Sequence, residues 1–528
     1  MGPMAPTARA TLVPIAVVAF AFACNASDSS FPEDGIVVTD DKSDDFISTA
    51  AVEFIIEGRS FVTVEDGEGL ERAEELIRLK HVAISWFLND FLIEEENTTT
   101  GEVSGFGAMV KTGSFEDLEI RQLNARSFEF TFEQIVTGTK DLPSLLEVES
   151  DGAFAIEIGK PTNEELARLE VNNEWYRKPP WSPWKPEMTA ASKKELIQLA
   201  IRAEKPTPDA WWDFQRLIED DVITVDVHHG WDFHDNHHIK DSAAMYRWLV
   251  REKGFEPPVA DFADYKRTSG PLSRTINADG REVEVRIRLF WGRPGESTDP
   301  DTDAGGRLLE NDLRRSLKTA DIIVFQGHSG PFFGFPMANW KKTEEGDLDD
   351  SEMPFVEMPA DKYQIVFGEG CDTLMIGPAF LDNVNKNGKN IDVVTTTALS
   401  DSESTPVNAF LSRLLDLDSV GRHRPRTIRA LLSQLDRAAM YGVHGAADNP
   451  RVHPYARPDL FCDRCSSNSD CGGAGNACIV VADDGRRCAA ACTDDDACGE
   501  GFRCMKVASE ADRTVFANMC VAETLECQ

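Results

Sequence analysis

Two reactive side chains occupy equivalent places in the chain. Asp321-Ile-Ile-Val-Phe-Gln-Gly-His328-Ser329-Gly330 sets an imidazole just past one short apolar run. Tyr363-Gln-Ile-Val-Phe-Gly-Glu369-Gly370-Cys371-Asp372 sets a thiol just past the next. A histidine beside a thiol raises its thiolate fraction and can later protonate a leaving amine. Glycines at 327, 330, 368 and 370 allow sharp turns and close backbone approach. The chemistry implied is nucleophilic, with Cys371 attacking an acyl carbon and His328 carrying the proton. The plainer alternative makes Cys371 a buried structural thiol and His328 a satisfied strand-end histidine, since lone cysteines often serve as small hydrophobes.

For both residues to face one substrate, the two runs must be neighbouring strands of one sheet, because open parallel sheets bind ligands at their carboxyl ends. The surrounding pattern predicts such a sheet over 216–458. A strand at Val222–Val227 is followed by a helix at Asp241–Lys253. Val283–Phe290 alternates apolar Val283, Val285, Ile287 and Leu289 with Glu284, Arg286 and Arg288, as in a half-buried strand near an edge. A helix at Gly306–Lys318 presents Leu309, Leu313 and Leu317. Apolar runs Ile322–Phe325, Tyr363–Phe367 and Ile391–Thr395 read as buried strands, and helices are expected at Pro406–Leu415 and Thr427–Met440. Alternating strands and helices imply an α/β domain, a mostly parallel sheet covered by helices. Residues 331–362 break the pattern: they are acidic and loop-like.

At these two strand ends the sequence resembles the caspase–legumain–gingipain superfamily of cysteine peptidases. In that family a histidine follows one strand and the nucleophilic cysteine the next, with Gln or Glu two residues before the cysteine. Glu369-Gly370-Cys371 matches, and His328 precedes Cys371 by 43 positions, against roughly 50 in caspases. The resemblance covers about 216–458 and is specific only at the two strand ends. It implies a caspase-like fold and peptide-bond cleavage through an acyl-enzyme, with Glu369 and Asp372 supporting the site. It also implies an oxyanion hole of backbone N–H groups after the histidine and at the cysteine. The family usually has His-Gly, whereas His328-Ser329-Gly330 leaves that donor open between Ser329 and Gly330. Gly370 stands where Ala is usual, which reads as a small change.

Three other motifs compete. Gly327-His328-Ser329-Gly330-Pro331 looks like an esterase elbow with Ser329 as nucleophile, but Pro331 stands where that elbow needs Gly, and no helix follows. His228, His229, Asp232, His234, His237 and His238 crowd the end of the first strand and could bind zinc or another divalent ion. They lack a fixed spacing such as His-Glu-x-x-His, and read more readily as a polar loop lining the cleft. Asp299, Asp301, Asp303 and Glu310 fall at calcium-loop positions 1, 3, 5 and 12, but Ala304 occupies the position that requires Gly. The plainer reading is a solvated turn capping the following helix.

The rest of the chain carries these elements. Residues 1–24 read as a lipoprotein signal. The apolar stretch 10–23 is too short to span a bilayer, and Ala21-Phe22-Ala23-Cys24 resembles a bacterial lipidation site, with Cys24 the acylated residue. A flexible acidic tether follows over 25–47. Residues 48–170 read as an α+β domain, with strands at Val52–Val64, Ser127–Gln134 and Ala153–Ile158 and a helix at Leu70–Glu95. Residues 171–215 form a Pro- and Trp-rich connector, its tryptophans pinned against a domain.

Residues 459–528 hold ten of the twelve cysteines (Cys462, Cys465, Cys471, Cys478, Cys488, Cys492, Cys498, Cys504, Cys520 and Cys527). That density predicts a disulfide-stapled module and an oxidising compartment. Two similar runs, Cys465 to Cys488 and Cys492 to Cys520, suggest tandem repeats, leaving Cys462 and Cys527 as a closing pair. A net charge of −37 argues against a nucleic-acid partner.

Together these features lead us to expect a secreted or lipid-anchored cysteine endopeptidase acting on protein or peptide, touching the membrane through its anchor alone. It requires no cofactor; calcium or another divalent ion enters only through the two competing motifs. The alternatives are an inactive surface-binding protein on the same fold and a metal-dependent hydrolase centred on the His228–His238 cluster.

Overall fold

The computed structural model describes residues 45–522, apart from 97–99, 170–180, 182–183, 232–235, 331–333, 401–404, 419–420, 436–439, 452–453, 456–463, 466–470, 472–475, 482–484, 496–497, 499–501 and 509–515. The lipidation candidate Cys24, most of the tether, the pair Cys462 and Cys527, and the candidate metal ligands Asp232 and His234 lie outside the described residues.

An eight-stranded sheet organises residues 216–458. Its spatial order is Ile47–Ser48, Tyr441–His444, Ile391–Thr396, Gln364–Glu369, Ile322–Gln326, Val222–His229, Arg281–Trp291, Leu272–Ala278. The five strands from Ile391–Thr396 to Arg281–Trp291 are mutually parallel, and the outer strands run antiparallel. Ile-Ile-Val-Phe-Gln at 322–326 is buried throughout, as a strand covered on both faces must be. Its alternate side chains enter opposite cores. Ile322 and Val324 join Met245, Leu249 and Phe410 on one side. Ile323 and Phe325 join Leu309, Leu313 and Ile376 on the other.

The covering helices form where the apolar spacing predicts. Asp303–Thr319 begins at Thr302, whose side chain accepts from the Gly305 N–H, and it buries Leu309, Leu313 and Leu317 at four-residue intervals. His237–Arg251 buries Met245 and Leu249. The acidic crossover between the two reactive strands contains one short turn of 3₁₀ helix, Met353–Phe355. It covers the sheet with Phe335, Met337, Leu348, Met353 and Val356 in place of a helix.

Several boundaries differ from expectation. Lys194–Ala203, inside the expected connector, is a strand lying between Ala51–Thr63 and Ala153–Gly159 in an antiparallel sheet of six strands. The first unit therefore extends past 200. Two of the connector's tryptophans, Trp181 and Trp184, are pinned, 5.1 and 4.8 Å from the Phe87 ring on the helix Leu70–Leu92. The tether ends earlier than 47, since Ile47 is fully buried and pairs with Val443. The helix expected over 427–440 spans Ile428–Leu432, and Tyr441–His444 is a strand.

In the C-terminal module each run of four cysteines pairs first with third and second with fourth. Cys465–Cys478 and Cys471–Cys488 staple the hairpin Ala477–Val481/Gly485–Ala489. Cys492–Cys504 and Cys498–Cys520 staple Phe502–Ala508/Phe516–Ala522. Shared connectivity makes these two structural repeats. No helix among the described residues is long and apolar enough to cross a membrane.

Candidate functional site

Register places the two reactive residues. Ile322–Gln326 and Gln364–Glu369 are paired parallel, with Gln326 opposite Glu369 as the last partners. The Gly327 N–H still donates to the Glu369 carbonyl at 3.1 Å. Two residues further on each chain come His328 and Cys371, so the backbone brings them to the same level on strands roughly 4.8 Å apart. Both are half-buried.

The approach of the two turns is tight. A Cβ at Gly370 would stand 2.7 Å from Ser329 Cβ and 2.8 Å from the Gly327 carbonyl oxygen. The Gly-for-Ala difference from the family pattern is thus not small in this chain: only glycine lets the histidine turn lie so close to the cysteine turn. The latter is also tied to the next strand. Thr396 Oγ1 donates to the Gly370 carbonyl at 2.7 Å, and Thr373 Oγ1 donates to the Gly368 carbonyl at 3.0 Å.

Cys371 is the one described cysteine outside a disulfide. Its Sγ faces the Ser400 peptide: the Ser400 N–H donates to sulfur at 3.4 Å, and the thiol donates to the Ser400 carbonyl at 3.6 Å. Ser400 Oγ in turn donates to Glu369 Oε1, while Tyr441 Oη donates to Glu369 Oε2 at 2.6 Å. Neither Ser400 nor Tyr441 is visible as a site residue in the linear sequence. The available signal is the pair of polar residues Thr397 and Ser400 just past the adjacent strand Ile391–Thr396. Among the described residues no backbone acceptor is recorded for the Ser329 and Gly330 N–H groups. Ser329 Oγ donates to the Gly334 carbonyl at 2.8 Å, an arrangement with no base to activate it.

Asp372 follows in the left-handed region, φ 52°, which Asp tolerates better than most residues. Its carboxyl is buried, with Oδ1 lacking a hydrogen-bond partner. Burial first, then the carboxylates of Glu94 and Glu95, push its pKa up to about 7. It faces the N-terminal unit, whose Met109 and Ile93 pack with Leu374 and Met375.

His228 and the calcium-loop carboxylates are engaged internally, while both ring nitrogens of the buried His229 lack a hydrogen-bond partner. His228 Nε2 pairs with Ser316 Oγ at 2.9 Å, and its ring stacks on Phe290 at 4.6 Å. Burial, then Arg288 and Arg315, hold its pKa well below the usual value. His229 is pushed down to about 3 by burial and by His238. His237 and His238 open the helix His237–Arg251. Three ligand atoms converge among the described residues only at cysteines already in disulfides. The calcium-loop spacing is not accompanied by a loop, because the helix starts at Asp303 and carries Glu310 along it. Glu310 accepts from Arg314 at 2.7 Å, Asp301 from Asn339 at 2.7 Å and Lys342 at 2.5 Å, and Asp303 from Thr343 at 2.6 Å. Asp299 accepts the N–H groups of Gly295 and Asp301.

A cavity of about 140 Å³ opens elsewhere on this rim, at the end of Arg281–Trp291. Its arginines are committed, Arg267 to Asp312 and Arg293 to Glu296 and the Tyr265 carbonyl. The chain matches no protein-family model, and no similarity to a curated protein or to a solved structure is found.

Proposed function

We propose that this protein is a cysteine endopeptidase with a caspase-like α/β domain, in which Cys371 is the nucleophile and His328 the general acid–base. The observation that carries the reading is the matched register: imidazole and thiol each follow their strand by two residues, on adjacent parallel strands, at the carboxyl end where open sheets bind ligands. The Cys371 thiol passes its proton to His328, and the resulting thiolate adds to the scissile carbonyl carbon. The oxyanion is met by the Cys371 amide and by that of Ser329 or Gly330. Collapse breaks the C–N bond as His328 protonates the departing amine, leaving a thioester. Water, deprotonated by His328, adds to the thioester and releases the acid and the thiol. No step requires a metal or cofactor. The four disulfides favour an oxidising, extracytoplasmic location, in keeping with lipidation at Cys24.

The test is hydrolysis of a mixed peptide library by the full chain, compared with Cys371→Ala and His328→Ala. Both substitutions should abolish cleavage while leaving the melting transition nearly unchanged, since both residues lie half-exposed past strand ends. Full activity in Cys371→Ala would move the nucleophile elsewhere, Ser329 first. Absence of cleavage in the wild type would favour the binding-protein alternative.

A further inference from the structure

A chain of hydrogen bonds that starts three strands away from the histidine ends on the sulfur of Cys371, and the dyad chemistry leaves it unexplained. It begins at Tyr441, fully buried on the antiparallel strand Tyr441–His444. The Tyr441 hydroxyl donates to Glu369 Oε2, and Ser400 Oγ donates to Glu369 Oε1. Glu369 is itself 1% exposed. Ser400 then points its backbone N–H at Cys371 Sγ, 3.4 Å away. Each oxygen of the carboxylate thus accepts one hydroxyl, which gives a buried acid a structural reason to be where it is.

We infer that Glu369 and Tyr441 form a clamp that holds the Ser400 amide on the Cys371 sulfur, making the Ser400 N–H a thiolate-stabilising donor and Glu369 and Tyr441 positioning residues. The inference rests on the reading of Cys371 as a nucleophile. A hydrogen bond to the charged form of an acid favours that form. A thiolate holds no proton to give, so it can only accept, and the N–H is the group that gains strength on ionisation. The thiol accepts more weakly and donates instead to the Ser400 carbonyl. The same peptide unit thus meets both protonation states, and only the thiolate state gains a charge-assisted bond. Ser400 lies past the strand Ile391–Thr396, two residues beyond Ala398, whose carbonyl accepts from the Asp372 N–H at 3.2 Å. The Oγ–Glu369 bond adds the side-chain restraint that fixes where the Ser400 N–H points.

This assigns Glu369 a task different from contact with substrate. Both its oxygens are occupied from the protein side, and its function is to tie the ends of three strands, Gln364–Glu369, Ile391–Thr396 and Tyr441–His444, around the nucleophile. It also separates two jobs. His328 moves the proton, and the Ser400 amide stabilises the ion that results.

The experiment is the pH dependence of iodoacetamide alkylation of Cys371 in the full chain with disulfides intact, read by intact mass. Wild type, Ser400→Ala, Ser400→Thr and Tyr441→Phe are compared, with thermal melts as the folding control. In the wild type the midpoint should lie below the ordinary thiol value near 8.5. Ser400→Ala should move it up by about one unit, slowing alkylation at pH 7 about tenfold. Ser400→Thr keeps the hydroxyl and should restore the wild-type midpoint. Tyr441→Phe removes one of the two clamps and should give an intermediate shift, without touching the cysteine or histidine turns. An unshifted midpoint in both folded Ser400→Ala and Tyr441→Phe would overturn the inference, as would an ordinary midpoint in the wild type. The nucleophile reading is judged apart from this, by peptide turnover in Cys371→Ala. Turnover lost there with an unshifted Ser400→Ala midpoint leaves the peptidase standing and removes the clamp.

Discussion

Adding one methyl group at Gly370 should disable the site more than it destabilises the fold. In Gly370→Ala the new Cβ would stand 2.7 Å from Ser329 Cβ and 2.8 Å from the Gly327 oxygen, where ordinary contact begins at 3.4 Å. Neither neighbour is the far end of a flexible side chain: one is a backbone carbonyl and the other the first carbon of a side chain. The histidine turn must therefore retreat by about 0.6–0.7 Å. Gly327 and Ser329 flank His328 directly, so the imidazole moves with them. A misplacement of about 1 Å can cost on the order of 100-fold in rate, and this one should lower kcat/KM by roughly 10- to 100-fold. Overpacking of this kind costs about 1–3 kcal/mol of stability. The assay pairs peptide hydrolysis with denaturant unfolding, and follows Cys371 alkylation as a second site readout. Gly69→Ala is the control, because nothing lies within 4 Å of its added Cβ. If Gly370→Ala kept wild-type activity, alkylation rate and stability, the close approach of the two turns would be refuted, and with it the geometry on which the dyad depends.

Burial and the Glu94 and Glu95 carboxylates raise the Asp372 carboxyl to about 7 in the folded protein, whereas an unfolded Asp titrates near 4. The folded state therefore holds this proton more tightly. The stability it confers is fully present below about pH 4 and is lost as pH rises through 7, to the extent of about 4 kcal/mol. Asp372→Asn should accordingly raise the melting temperature at pH 8, leave it unchanged near pH 4 and flatten part of the slope between; equal shifts at both pH values would contradict the assignment. In the C-terminal module, loops closed across 12–22 residues contribute about 3 kcal/mol each, over a small apolar cluster of Ile479, Ala489, Met519 and Val521. Reduction should remove hydrogen-exchange protection from both hairpins and leave the eight-stranded sheet protected. Protection persisting in the hairpins would show that burial alone holds them.

The parallel core was legible because runs such as Ile322–Phe325 are short, wholly apolar and bounded by polar residues, as strands buried on both faces are. The tandem cysteine spacing likewise anticipated two repeats, whereas their shared bridge pattern came only with the structure. Missed strands have local reasons. Lys194–Ala203 was hidden by the prolines and tryptophans around it, and Tyr441–His444 by a helical period running into it. Leu272–Ala278 is half polar and pairs as an edge hairpin with Arg281–Trp291. Cys371 and His328 could be chosen from sequence because each sits a fixed step beyond its strand. The Ser400–Glu369–Tyr441 chain and the facing of Asp372 toward Glu94 join residues dozens to hundreds of positions apart. Those contacts follow from tertiary packing, which no local pattern encodes.

The most direct test of the central claim is covalent trapping of the native full chain with a peptidyl acyloxymethyl ketone, mapped by peptide mass. Such a probe reacts when a thiolate and a general acid face one carbonyl. The account predicts a single adduct on Cys371, none in Cys371→Ala, and labelling of His328→Ala slowed about 100-fold or more. An adduct that persists in Cys371→Ala, or a wild-type chain that no such peptide labels, would contradict it.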